Sequence, residues 1–244
     1  MTEQVRKRLR RAFLWGLALG SCVGAAYLLG FFDALELKAL NARFLLRGVQ
    51  APASPIVIVA IDDNSFQELY ERGAQWPWPR AWHAELIERL SHGSPLIIGL
   101  DLLFTEPSRF GPDDDRAFAR AIRKAGNVVL AAHFSQEKIV LETAEGEPTI
   151  IIRHVLNLPL PRLRDPATGY GSVNIPPDVD AFIRRAPIVQ RYQGRLEPSF
   201  ARHLWELASG VRDKGSPGGP ILINFRGPAG TSVSTKAPAS SVTV

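Results

Sequence analysis

Hydrophobic and polar positions change period several times along this chain. The first segment has no alternation: Ala12 to Phe32, AFLWGLALGSCVGAAYLLGFF, runs 21 residues without a charge. As a helix it would be roughly 31 Å long at 1.5 Å per residue, the thickness of a hydrocarbon core of about 30 Å. It predicts one transmembrane helix. From Asp33, DALELKALNARFLLRG places Leu37, Leu40, Phe44 and Leu45 at helical spacing, with Asp33 as N-cap and Gly48 beyond the end. This predicts a stalk helix. After the breaker APASP comes IVIVAID, Ile56 to Asp62, a β-branched run that suits a strand buried on both faces.

A short helix is expected over NSFQELYERG, with Ser65 and Glu68 at capping-box spacing and Gly73 as terminator. Arg80 to His92 predicts the next helix, its apolar face made by Trp82, Leu86, Ile87 and Leu90. PLIIGLDLLF is a second strand ending near Asp101. GPDDDRAFARAIRKAGN is a helix with acids in the first turn and Ala117, Phe118, Ala121 and Ile122 inward, stopped by Gly126. NVVLAAHF is a third strand. Short strands separated by helices imply parallel pairing, so the expected fold class is α/β: a mostly parallel sheet with flanking helices, preceded by one transmembrane helix. Beyond Phe134, KIVLETAEGEPTIIIRHVL suggests a hairpin, GYGSVNI and RRAPIVQRYQG strands, EPSFARHLWELASG a helix, and PILINFRGP a last strand. The expected segments are 1–11 basic N-terminus, 12–32 span, 33–50 stalk and linker, 51–228 main domain, and 229–244 a polar, flexible tail.

Charge changes the picture through its placement. The net charge is +5, but Arg6, Lys7, Arg8, Arg10 and Arg11 lie before the span against a single Glu3, leaving the rest near neutral. That distribution speaks against a nucleic-acid partner. It also puts the N-terminus in the cytoplasm and everything after Phe32 outside. A cleaved signal peptide would have a shorter apolar region and a small-x-small site, which this segment lacks. The one cysteine, Cys22, lies within the span, so the exported part has no internal disulfide and no thiolate zinc site.

Two residue groups could carry chemistry. WPWPR holds Trp76, Trp78 and Arg80, followed by Trp82. The indoles either close the core, on a backbone fixed by Pro77 and Pro79, or wall a small-molecule pocket with Arg80 supplying charge. Asp62, Asp63 and Asp101 follow apolar runs, so Asp62 and Asp101 would emerge at the carboxyl rim of neighbouring parallel strands, where they could hold a cation or an amine. The plainer alternative is that Asp62 or Asp63 caps a helix while Asp101 pairs with Arg80 or Arg184. Asp113 to Asp115 read as a helix start, and the alternation in IRRAPIVQRYQGR as a strand's wet face. His83, His92, His133, His154 and His203 show no paired metal spacing, and no GxSxG, P-loop or GxGxxG is present. No catalytic residue and no cofactor is expected, and the metal is unknown.

In order, RFLLRG, IVIVAIDDNSF, WPWPR before Trp82 and His83, IGLDLLF, GPDDDRAFARAI, GYGSVNIPPDVDAFIRR and INFRGPAG resemble the type-2 CHASE domain, from about Asp33 to Gly230. The resemblance implies an exported sensory domain associated with cyclases and histidine kinases, followed by further transmembrane helices and an output module. This chain ends within 14 residues of INFRGPAG, which implies a copy truncated before that output. The expected protein is therefore a single-pass inner-membrane sensor with an extracytoplasmic ligand-binding domain. Its partners would be lipid along residues 12–32, an unknown small molecule or ion, and a second copy through the transmembrane and stalk helices. A membrane-tethered metal enzyme using Asp62 and Asp101 is the alternative, and a structural partner of other membrane proteins a third.

Overall fold

The uncharged run folds as expected into a helix. A computed structural model describes residues 3–51, 56–142, 148–211, 219–227 and 235–238. In it α1 spans Glu3–Leu28 and α2 spans Asp33–Arg47. Among the described residues, α1 alone is long and apolar enough to cross a membrane. It takes in the basic cluster and ends four residues before the uncharged run does, at a turn where Gly30 has φ 72°. Asp33 is the first residue of α2, not its cap, because Phe32 occupies that position without a side-chain bond. Gly48 ends α2 at φ 71°, a value that favours glycine. Residues of the INFRGP segment belong to this first unit: Phe225 meets Phe44 edge-to-face with ring centres 5.9 Å apart, and the Gln50 amide donates to the Arg226 carbonyl at 2.6 Å.

The second unit holds the α/β fold. Its elements begin with β1 (Val57–Ala60), α3 (Asp63–Glu71), α4 (Arg80–His92), β2 (Ile98–Leu100) and α5 (Pro112–Ala125). The long hairpin strands β3 (Val128–Glu142) and β4 (Pro148–Asn157) follow, then α6 (Pro161–Arg164) and β5 (Gly169–Ser172). The chain continues through β6 (Arg185–Ala186), β7 (Val189–Tyr192), β8 (Arg195–Pro198), α7 (Phe200–Ser209), β9 (Ile221–Leu222) and β10 (Thr235–Pro238).

The main sheet is mixed, which corrects the expectation of a mostly parallel one. The first third of β3 is flanked by β2 and β5, both parallel to it, with Leu130 opposite Leu100 and Tyr170. Past His133 the same strand runs on as one arm of the antiparallel hairpin with β4. β3 is thus a single 15-residue strand serving two pairing modes. A second correction concerns β1. It pairs in parallel with β10, not with β2, and its Val57 and Ile58 are exposed. A β-branched run specifies extended backbone and fits a half-buried surface as well as a fully buried one, so it does not name its partner.

The core lies between α4, α5 and the start of the sheet: Ile87, Phe104, Phe118, Ile122, Val128, Leu130 and Leu163 are buried. Ile98 and Leu100 point into it, so by strand alternation Gly99 points the other way. There α7 takes over: a side chain at Gly99 would come within 3.2 Å of Leu204, and one at Gly171 within 2.5 Å of the Phe200 backbone. Glycine at these positions lets the helix sit directly on the strands.

Candidate functional site

The tryptophan loop leads into α4, and its rings stack in depth. Trp78 is 6% exposed and Trp76 44%. Their ring centres lie 5.1 Å apart at a steep angle, and Phe66 of α3 touches both, at 5.5 Å from Trp76 and 5.4 Å from Trp78. Trp82 extends the row 6.4 Å from Trp78. Both rings line a cavity of about 260 Å³, Trp78 almost wholly covered and Trp76 half-exposed. That cavity is bounded on one side by Trp76, Trp78, Arg80 and His83, and on the other by the loop Leu102 to Phe110.

Two acids of the DDD run, Asp114 and Asp115, organise this region from beneath. The Asp114 carboxylate accepts the backbone amides of Arg80 at 2.7 Å and Ala81 at 2.8 Å, and also the Ser108 hydroxyl. A side chain in the first turn of α5 therefore caps the first turn of α4, whose own cap position is Pro79. Burial pushes Asp114 up, but Ser108 and the two amides outweigh it and hold the carboxyl below its ordinary value. Asp114→Ala should cost about 1 to 2 kcal/mol, as for loss of a good helix cap. Urea unfolding of the variant against wild type measures this, and an unchanged midpoint would mean water replaces the carboxylate without loss.

Asp115 is 1% exposed and lies 3.7 Å from Arg80 Nε and 3.8 Å from Arg162. The Arg80 contact is an attraction too long for a hydrogen bond, and both Arg80 Nε and Asp115 Oδ1 are buried without one. The Arg80 guanidinium also donates to the Glu106 carbonyl at 3.1 Å and lies 4.4 Å over the Phe104 ring. His83, one turn further along α4, is 4% exposed and packs against Phe104, Phe118 and Trp76. Burial first, and the Arg80 charge second, push its pKa down to about 4, so the imidazole is neutral at neutral pH.

Of the six candidate residues, the structure brings Trp76, Trp78 and Arg80 to one cavity and leaves Asp62, Asp63 and Asp101 out of its lining. Asp62 is the N-cap of α3, in a capping box with Ser65 in place of the expected Ser65–Glu68 pair. Asp63 is exposed in the first turn. Asp101 is exposed at the end of β2, and neither arginine expected beside it is there: Arg80 faces Asp115, and Arg184 forms ion pairs with Asp178 and Asp180. The two-carboxylate rim required β1 and β2 to be neighbours, and they are not. Among the described residues no group of three His, Cys, Asp or Glu is placed to hold a metal.

Sequence reasoning passed over His83 and Asp115, although a signal existed for each. Asp115, Phe118 and Ile122 recur at helical spacing, which puts Asp115 on the apolar face of α5, and His83 with Ile87 does the same on α4.

Comparison with curated proteins and with solved structures finds no match. A protein-family model, the CHASE2 domain, matches residues 17–243. That stretch takes in the tryptophan loop, both organising acids and the whole mixed sheet, and the chain accordingly belongs to the CHASE2 domain family, sensory extracellular domains of signalling proteins.

Proposed function

We propose that the protein is a membrane-anchored sensor that binds its ligand outside the cytoplasm and is not an enzyme. The observation that carries this is the arrangement of parts: a basic cluster opens the apolar helix α1, and the CHASE2 match begins within that helix at residue 17 and runs to residue 243. Family membership supports the sensory role, and the basic residues at the start of α1, ahead of its uncharged run, support a cytoplasmic N-terminus in an inner membrane. The ligand site within this reading is the cavity beside Trp76, since it joins exposed rings to a few buried polar groups. A second copy pairing through α1 and α2 would give the sensor a route for its signal. Reporter fusions after Gly48 and after Gly230 should be active only with a reporter that works outside the cytoplasm. Activity of a cytoplasmic reporter at either point would overturn the sensor reading.

A further inference from the structure

We propose that the cavity between the start of α4 and the Leu102–Phe110 loop takes a small, uncharged aromatic molecule carrying a hydroxyl or ring nitrogen, hydrogen-bonded to His83. The inference rests on the reading of this domain as a ligand sensor and adds the chemical class of the ligand.

Size comes first. About 260 Å³ is below the usual range of drug-sized sites, roughly 300 to 1,000 Å³, and suits one or two rings. The walls mix aromatic and aliphatic side chains with polar ones and are open at the mouth: Trp76 is 44%, Leu103 45% and Phe110 49% exposed, while Phe104 and Trp78 are almost wholly covered. Exposed indole and phenyl faces left beside a cavity favour a third ring stacked or packed edge-on against them.

Charge comes second. Arg80 is held by Asp115, the Glu106 carbonyl and the Phe104 ring. Arg109 donates to the Gln75 carbonyl at 2.8 Å and lies over Phe110. Against these two cations stand Glu106 in the cavity wall and Asp115 behind it. Two cations facing two carboxylates leave no net charge to offset the hydration an ion would give up, so an ion is disfavoured; a neutral ring is not. This replaces the sequence-based expectation that Arg80 supplies charge to the ligand.

Specificity comes third. His83 lines the cavity, is 4% exposed, and makes no hydrogen bond to any described residue. Its ring nitrogens are not among the fully buried polar atoms left without a partner, so they are reachable, and a neutral imidazole offers a guest one donor and one acceptor. A phenolic hydroxyl or an azole nitrogen satisfies either.

The full chain in nanodiscs should be titrated calorimetrically with p-cresol, toluene, 4-methylbenzoate and 4-methylbenzylamine, with empty nanodiscs subtracted. The expected result is p-cresol binding about five-fold or more tightly than toluene, in line with one net hydrogen bond, and the two charged probes more weakly than p-cresol. His83→Phe should abolish the p-cresol preference and keep toluene binding. The imidazole 15N resonances of His83 in the wild type, which need no variant, should move with p-cresol and not with toluene. An absence of millimolar p-cresol binding, a preference for either ion, an unchanged preference in His83→Phe, or unmoved His83 resonances would each overturn the proposal. Such a failure with the fusion results intact would remove the ligand class alone. A cytoplasmic reporter signal would remove the sensor reading itself.

Discussion

Trp78→Ala is expected to lower the unfolding free energy by about 3 to 5 kcal/mol, the range for deleting a buried large aromatic. Trp78 is almost wholly covered and touches Phe66, Trp76 and Trp82, so its loss opens a void where α3, the tryptophan loop and α4 converge. Little can collapse into that void, because α4 is held at its start by Asp114 and along its length by the core around Ile87. Trp76→Ala removes a ring that is 44% exposed, and should cost roughly 1 to 2 kcal/mol, since only part of its apolar area leaves water on folding. Urea unfolding of the two variants side by side measures the difference. Equal losses would contradict the division of the pair into a covered ring that packs and a half-exposed one.

A second large effect is expected from acid. His83 has an ordinary pKa of 6.5 and is pushed down to about 4 in the folded protein. Between those values the unfolded chain takes up a proton that the folded one refuses, so stability rises with pH across the window. The contribution is fully present above about pH 6.5 and is lost as pH falls through about 4. At 1.36 kcal/mol per pKa unit it amounts to about 3 kcal/mol. Urea midpoints at pH 7, 6 and 5 should therefore decline in the wild type, and the decline should flatten in His83→Phe. The upper part of the window is the cleaner one, because carboxylates begin to titrate below it. Identical pH slopes in the two proteins would show that His83 is protonated at little cost where it sits.

The sequence carried the helices well. Arg80 to His92 is a helix with the stated limits, and α5 buries Phe118, Ala121 and Ile122 and ends at left-handed Gly126, as spacing and the glycine predict. Strand pairing was less legible. The run at β1 says extended backbone, but its partner is β10, over 170 residues away and within a tail whose composition suggests no structure. Nothing in a local pattern encodes that match. β3 shows the same limit in another form, since a strand that changes from parallel to antiparallel neighbours along its length reads as two separate runs. At the site, Trp76, Trp78 and Arg80 were found because they are conspicuous together. His83 and Asp115 were missed because a histidine without a second histidine, and an acid in an acidic run, have ordinary explanations. Only their phase on α4 and α5, set against Ile87 and Phe118, marks them as inward.

Asp114 joins the starts of two helices with one carboxylate, binding the amides of Arg80 and Ala81 from the first turn of α5 and the hydroxyl of Ser108 from the facing loop. Both walls of the cavity are thus fastened to the same side chain. A guest entering between them meets walls that are already in place, and the entropy of ordering them has been spent during folding, not at the moment of encounter. Weak ring-stacking contacts can then appear almost undiminished as affinity, which is the condition under which a molecule of one or two rings can be detected at all.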